Sequence, residues 1–122
     1  MELPSHADQA ERLTLNLAQH SRGSVLTVVG ELDHDTSPRL LNHLTQVLHQ
    51  HPDAVVIDCA GITFCDSSGL NTLLRTRHRA HEQQRPLTLA APSRAMLRLL
   101  QITGADAALD TTPTVAEALT TP

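Results

Sequence analysis

Residues Cys65-Asp66-Ser67-Ser68-Gly69-Leu70 set a carboxylate, two hydroxyls and a glycine side by side. They stand between an apolar run, Ala54-Val55-Val56-Ile57, and a helical pattern, Leu70, Leu73, Leu74. This spacing predicts two hydroxyls on a tight loop at a helix start. The first amide N–H groups of a helix lack intrahelical acceptors, and the helix dipole favours negative charge there. One serine is expected to cap the helix, which leaves the other free to carry a phosphoryl group. Hydrolytic chemistry is not expected. A serine nucleophile needs a G-x-S-x-G elbow or a positioned base, and Cys65 stands where the elbow requires glycine. The loop reads as a modification switch on a binding protein.

A phosphate on Ser67 would add about 1.5 to 2 negative charges beside Asp66, with Asp33 and Asp58 expected nearby. A partner shaped for a neutral hydroxyl would have to bury that charge. A penalty of about 3–4 kcal/mol weakens binding several-hundred-fold.

Composition narrows the function classes. A chain of 122 residues is one domain with room for an ordinary core. That core is aliphatic, with one Phe and neither Trp nor Tyr, so stacking platforms for nucleobases are lacking. All nine positive charges are arginines, which serve neither as Schiff-base amines nor as general bases. The net charge of −4 argues against a polyanionic partner, so no nucleic acid is expected. Cys59 and Cys65 read as reduced, buried small hydrophobes. Met1 to Glu11 contains no apolar signal-peptide core, and no run approaches the roughly 18 apolar residues of a membrane span. A soluble cytoplasmic protein is expected.

The elements that must hold the loop follow from periodicity. Residues 1–11 read as a flexible tail and 12–120 as the folded domain. Leu13-Thr14-Leu15-Asn16-Leu17 alternates as a strand with one buried face, and Val25 to Val29 forms its hairpin partner across a polar turn, Gln19 to Gly23. Ser37-Pro38 signals a helix start, with serine at the cap and proline in the first turn. Leu40, Leu41, Leu44, Val47 and Leu48 give that helix an apolar stripe. Ala54 to Ile57, ending in Asp58, predicts a short central strand covered on both faces. Ser68 to about Ala80 is the next helix, and Leu87 to Ala91 the next strand. Ser93 should cap a helix carrying Met96, Leu97 and Leu100, with Gly104 just past its end. Ala108-Leu109-Asp110 suggests an edge strand, and Thr114 to Glu117 a capping box for a last helix. The result is an α/β domain: a mixed sheet of four to five strands with about four helices, mainly on one face or on two unequally. Binding loops of such sheets lie at strand-to-helix junctions, here Glu31 to Ser37 and Gly61 to Gly69.

Other candidate sites are weaker. His49-x-His51 lacks an acid or cysteine to complete a metal set, so the eight histidines read as a solvated surface. Arg75, Arg77, Arg79 and Arg85 form a small basic face, read as solvated. A phospho-aspartate receiver would need a lysine, and nucleotide loops of the P-loop or GxGxxG kind are missing. Any kinase must come from outside, and no catalytic residue, cofactor or metal is expected.

Phe64-Cys65-Asp66-Ser67-Ser68-Gly69-Leu70 resembles the phosphorylation loop of the STAS-domain anti-sigma factor antagonists, and nearly the whole chain is similar to that family. Gly30-Glu31-Leu32-Asp33-His34-Asp35-Thr36, before the first helix, is a second match, and Val55-Val56-Ile57-Asp58 a third. The resemblance implies a non-enzymatic STAS domain. It implies that the serine directly after the aspartate, Ser67, is phosphorylated, and that Asp33, Asp66, Ser68, Gly69 and Leu70 meet the partner. That partner would be an anti-sigma factor that is itself a GHKL-type serine kinase, with a PP2C-type phosphatase reversing the modification. The unphosphorylated form would bind the anti-sigma factor and release the sigma factor. Cys65 stands where a larger aliphatic or Met is often found in the family, and Asn71 where a small residue is. The alternative is a STAS interaction subunit of a lipid-transport or stress-signalling complex, with no kinase switching.

Overall fold

The computed structural model describes residues 12–120. The expected N-terminal tail, residues 1–11, lies outside the described residues. The chain runs β1 (Leu13–His20), β2 (Gly23–Leu32), α1 (Ser37–Gln50), β3 (Ala54–Cys65), α2 (Ser67–Glu82), β4 (Leu87–Ala90), α3 (Arg94–Thr103), a 3-10 turn (Ala105–Ala107), β5 (Asp110–Thr112) and α4 (Val115–Thr120). The five strands form one mixed sheet in sequential order. β1 and β2 are antiparallel, as a tight turn at Ser21-Arg22 permits, and the remaining pairs are parallel, each joined by a helix.

Alternation along the strands sorts the core into two layers. Leu26, Val28, Val55, Ile57, Leu87 and Leu89 point to one face and pack with Leu40, Leu44, Leu70, Leu73, Met96 and Leu100 from α1, α2 and α3. Val25, Val56 and Ala90 point to the other face, where α4 covers them with Ala118, Val115 and Leu119. The two faces are therefore covered unequally. The central strand is buried on both sides, which explains its unbroken apolar run.

β3 is far longer than its apolar run predicts. It continues past Asp58 to Cys65 because β2 stays paired alongside it, through register shifts between Thr27 and Val29 and between Gly30 and Glu31. Gly30 sits in the second irregularity with φ +119°, and a Cβ there would lie 1.8 Å from the Arg12 carbonyl oxygen. Only glycine tolerates that backbone. The bulges carry both strands to the same end of the sheet, with Leu32 opposite Cys65. Farther along, β5 occupies 110–112, two residues beyond its expected place, because Ala105–Ala107 coils into a 3-10 turn. Ser93 caps α3 through Met96 N (3.1 Å), and Gly104 closes it in the left-handed conformation (φ 80°), both as the sequence predicts.

Candidate functional site

The ends of β2 and β3 bring two loops together. Asp66 N donates to Leu32 O at 3.2 Å, which ties the start of α2 to the end of β2. Gly69 lies against the same residue. A Cβ at 69 would meet Leu32 Cγ at 2.6 Å, Leu32 O at 2.9 Å and Cys65 Sγ at 3.0 Å. Gly69 thus permits a close approach of helix to strand. Leu70 is buried and anchors the first turn in the core.

The cap of α2 is not a serine. Asp66 is the N-cap residue, and its Oδ1 accepts from Ser68 N at 2.9 Å and Gly69 N at 3.1 Å. A carboxylate outcompetes a hydroxyl here because it carries charge into the positive end of the helix dipole. Ser67 and Ser68 are both released from capping. Ser67, the first helical residue, is exposed, and Ser68 is half-buried. No hydrogen bond engages the Ser67 hydroxyl among the described residues.

The loop from β2 to α1 repeats the bonds of the carboxylate but consumes its hydroxyls. Asp33 Oδ1 accepts from Asp35 N (2.9 Å) and Thr36 N (3.1 Å), folding the chain into an Asx-type turn. The Thr36 hydroxyl donates to Glu31 O (2.8 Å) and accepts from Asp33 N (3.0 Å). Thr36, not Ser37, occupies the cap position of α1, and it makes no side-chain cap bond. Ser37 is buried, and its hydroxyl donates backward to Asp33 O at 2.5 Å. Pro38 does fall in the first turn. Asp33 also pairs with the Arg12 guanidinium, which reaches Glu31 (3.4 Å) and Asp35 (3.7 Å) as well. Composition does not point to Arg12. The hairpin register does: Leu13 lies opposite Gly30, so Arg12 arrives beside Glu31.

Of the residues singled out in the sequence, Asp33, Asp66 and Ser68 are partly exposed, Ser67 is exposed, and Gly69 and Leu70 are buried beneath them. An open groove of about 250 Å³ between α1 and α2 is lined by His34, Pro38, Leu41, Ser68, Asn71 and Arg75. The basic face on α2 is partly consumed. Arg79 donates to Thr45 Oγ1 (2.6 Å), and Arg85 donates to the carbonyls of Leu48 and Asp53. Neither thiol is a nucleophile near neutral pH. Burial, reinforced by Asp58 and Cys65, pushes Cys59 up to about 12; burial, reinforced by Asp66, pushes Cys65 up to about 11. Cys59 is buried as expected, whereas Cys65 is only half-buried. No group of three or more His, Cys, Asp or Glu that would hold a metal ion occurs among the described residues. No helix there is long and apolar enough to cross a membrane.

A family model described as "Mlab, STAS domain" matches residues 15–113. A crystal structure of an anti-sigma factor antagonist from Mycobacterium paratuberculosis superimposes with a TM-score of 0.80 at 31% identity, covering 88% of this chain and 92% of that one. This chain belongs to the STAS-domain anti-sigma factor antagonist family. Among curated proteins of the family, the anti-sigma-F factor antagonist RsfB of Mycobacterium tuberculosis is 33% identical over 66 residues, 54% of each chain. The chain therefore spans about half the length of the curated relatives it matches. SpoIIAA, solved in unphosphorylated and phosphorylated forms, shares the STAS fold with TM-scores of 0.73 and 0.68. Those two chains are 21% and 22% identical to this one; each match covers 87% of this chain, and 93% and 96% of theirs.

Proposed function

We propose that this STAS domain is a non-enzymatic anti-sigma factor antagonist of the cytoplasm, switched off by phosphorylation of Ser67. One observation carries the reading: Asp66 caps α2, so the neighbouring Ser67 hydroxyl stays exposed and unbonded on a rigid helix start. An external kinase can reach it without unfolding anything. The amides of Ser68 and Gly69 are already engaged by Asp66, so a phosphoryl group on Ser67 would find these two helix-start donors taken. Its charge would project toward a docking partner. In the unmodified state the surface formed by Asp33, Asp66, Ser68 and the helix start beneath them would bind an anti-sigma factor of the GHKL serine-kinase class and free its sigma factor. A PP2C-type phosphatase would restore that state. The existence of a phosphorylated form of SpoIIAA, which shares this fold, supports the reading.

The test is incubation with the cognate GHKL anti-sigma kinase and ATP, followed by peptide mapping by mass spectrometry. Phosphate on Ser67 is the expected result. Its absence from both Ser67 and Ser68 overturns the switch. A chain that is never modified, and that is recovered with transporter ATPases in pull-downs, is instead an interaction subunit.

A further inference from the structure

Beyond the Ser67 loop, an apolar surface runs from the end of β3 along α3. Phe64, the single aromatic residue of the chain, is 51% exposed, and Ile102 near the end of α3 is 75% exposed. Two adjoining hollows, of about 240 and 570 Å³, share Cys65 as a wall; the first lies against Phe64 and the start of α3, the second against Leu99 and Ile102. Arg94 and Arg98 line the second hollow. They lie on the same helical stripe as Ile102, at i, i+4 and i+8, while Met96 and Leu100 face the core. Exposed apolar groups gathered around hollows mark interaction sites more often than scattered ones do.

The charges select the occupant. Neither Arg94 nor Arg98 has a carboxylate within ion-pair reach among the described residues. Arg12, Arg39, Arg79 and Arg85 are spent on carboxylates, hydroxyls or carbonyls of the chain itself, and of the remaining arginines only Arg94 and Arg98 line the apolar hollows. Two free guanidiniums beside an apolar trough match an apolar segment flanked by acids. A second copy of this chain fits poorly, because a two-fold interface would set the arginine pair against its own image. Two arginines on a chain of net charge −4 are also too few to hold a nucleic acid. We propose that this groove seats an amphipathic helix of a protein partner, its apolar stripe on Phe64 and Ile102 and its carboxylates on Arg94 and Arg98. Because Cys65 adjoins Asp66 and Ser67, such a helix would extend the surface that begins at the Ser67 loop. Only the identity of the protein bearing that helix, the anti-sigma factor, rests on the function proposed above.

The experiment needs no kinase. Isotope-labelled protein is titrated by NMR with a 14-residue Leu/Glu amphipathic helical peptide and with a twin carrying Lys for every Glu. Expected are amide shifts confined to Ile62–Asp66 and Arg94–Thr103, with a Kd below about 1 mM for the Glu peptide and at least tenfold weaker binding of the Lys twin. Ile102→Ser, at a site exposed enough to leave the fold alone, should lower affinity for the Glu peptide at least fivefold. The Arg94→Ala/Arg98→Ala pair should erase the difference between the two peptides. No shifts in the groove, equal affinity for both peptides, or Ile102-dependent sedimentation with phosphatidylglycerol vesicles would each overturn the proposal. Failure of Ser67 to accept phosphate would remove the anti-sigma identity and leave the groove result standing.

Discussion

Two loops at one end of the sheet contain an aspartate followed by hydroxyl residues, Asp33 to Ser37 and Asp66 to Ser68, yet they treat their hydroxyls oppositely. Between β2 and α1 four residues intervene, and Asp33 spends its carboxylate on closing that turn. The Thr36 and Ser37 hydroxyls are buried and fully used. Between β3 and α2 only Asp66 intervenes. With no turn to close, its carboxylate caps the helix and the following serine is left outward. Both aspartates accept from the amides two and three residues on, so availability of a hydroxyl is set by loop length, not by residue type.

The sharpest way to break this contrast is to modify both loops. If the proposed switch operates, phosphorylated protein should bind its anti-sigma partner several-hundred-fold more weakly, about 3–4 kcal/mol, by isothermal titration. Ser67→Ala should retain binding and resist ATP, and Ser37, being buried, should carry no label in the same digest. Next in size is Gly69→Ala. Its methyl group would press on Leu32 and Cys65, so urea denaturation should show a loss of about 1–3 kcal/mol. The loop most firmly joined to β2 would then be loosened while the Asp33 turn keeps its bonds. Asp66→Ala removes the cap and should lower stability by about 0.5–2 kcal/mol. It should also broaden the Ser68 and Gly69 amide resonances without touching those of Asp35 and Thr36.

The last effect appears only at high pH. Folding raises the thiol of Cys65 to about 11 and that of Cys59 to about 12, from an ordinary 9.0. The unfolded chain therefore ionises first as pH rises. Stability contributed by the neutral thiols is complete below pH 9 and is lost between there and about pH 12. Chemical denaturation midpoints should fall across that window, and a Cys59→Ala variant should show a shallower decline. Iodoacetamide at pH 8 should leave the folded protein unlabelled.

Much of this arrangement was legible in the residues. Strict alternation in β1, the two-sided run Val55-Val56-Ile57, Ser93 and Gly104 each marked an element through a local rule that the fold obeys. What escaped were choices made between segments distant in sequence. β3 outruns its apolar stretch because β2 keeps it company through two bulges, and neither Ala60-Gly61 nor Thr63 announces a strand by itself. The caps were misassigned for a related reason. Serine is a good cap, but at α2 Asp66 takes that place, and at α1 the Ser37 hydroxyl is drawn back to Asp33 O instead. The basic face of Arg75, Arg77, Arg79 and Arg85 was read from spacing alone, and half of it is used inside the fold, where Arg79 meets Thr45 and Arg85 meets Leu48 and Asp53.

The self-sufficient cap at Asp66 has one more implication. A group attached to the Ser67 oxygen displaces no bond that the free chain makes, so adding or removing it leaves the scaffold as it was. Such a mark is written on the outside only and keeps no history: once cleaved, the molecule is at once what it was before.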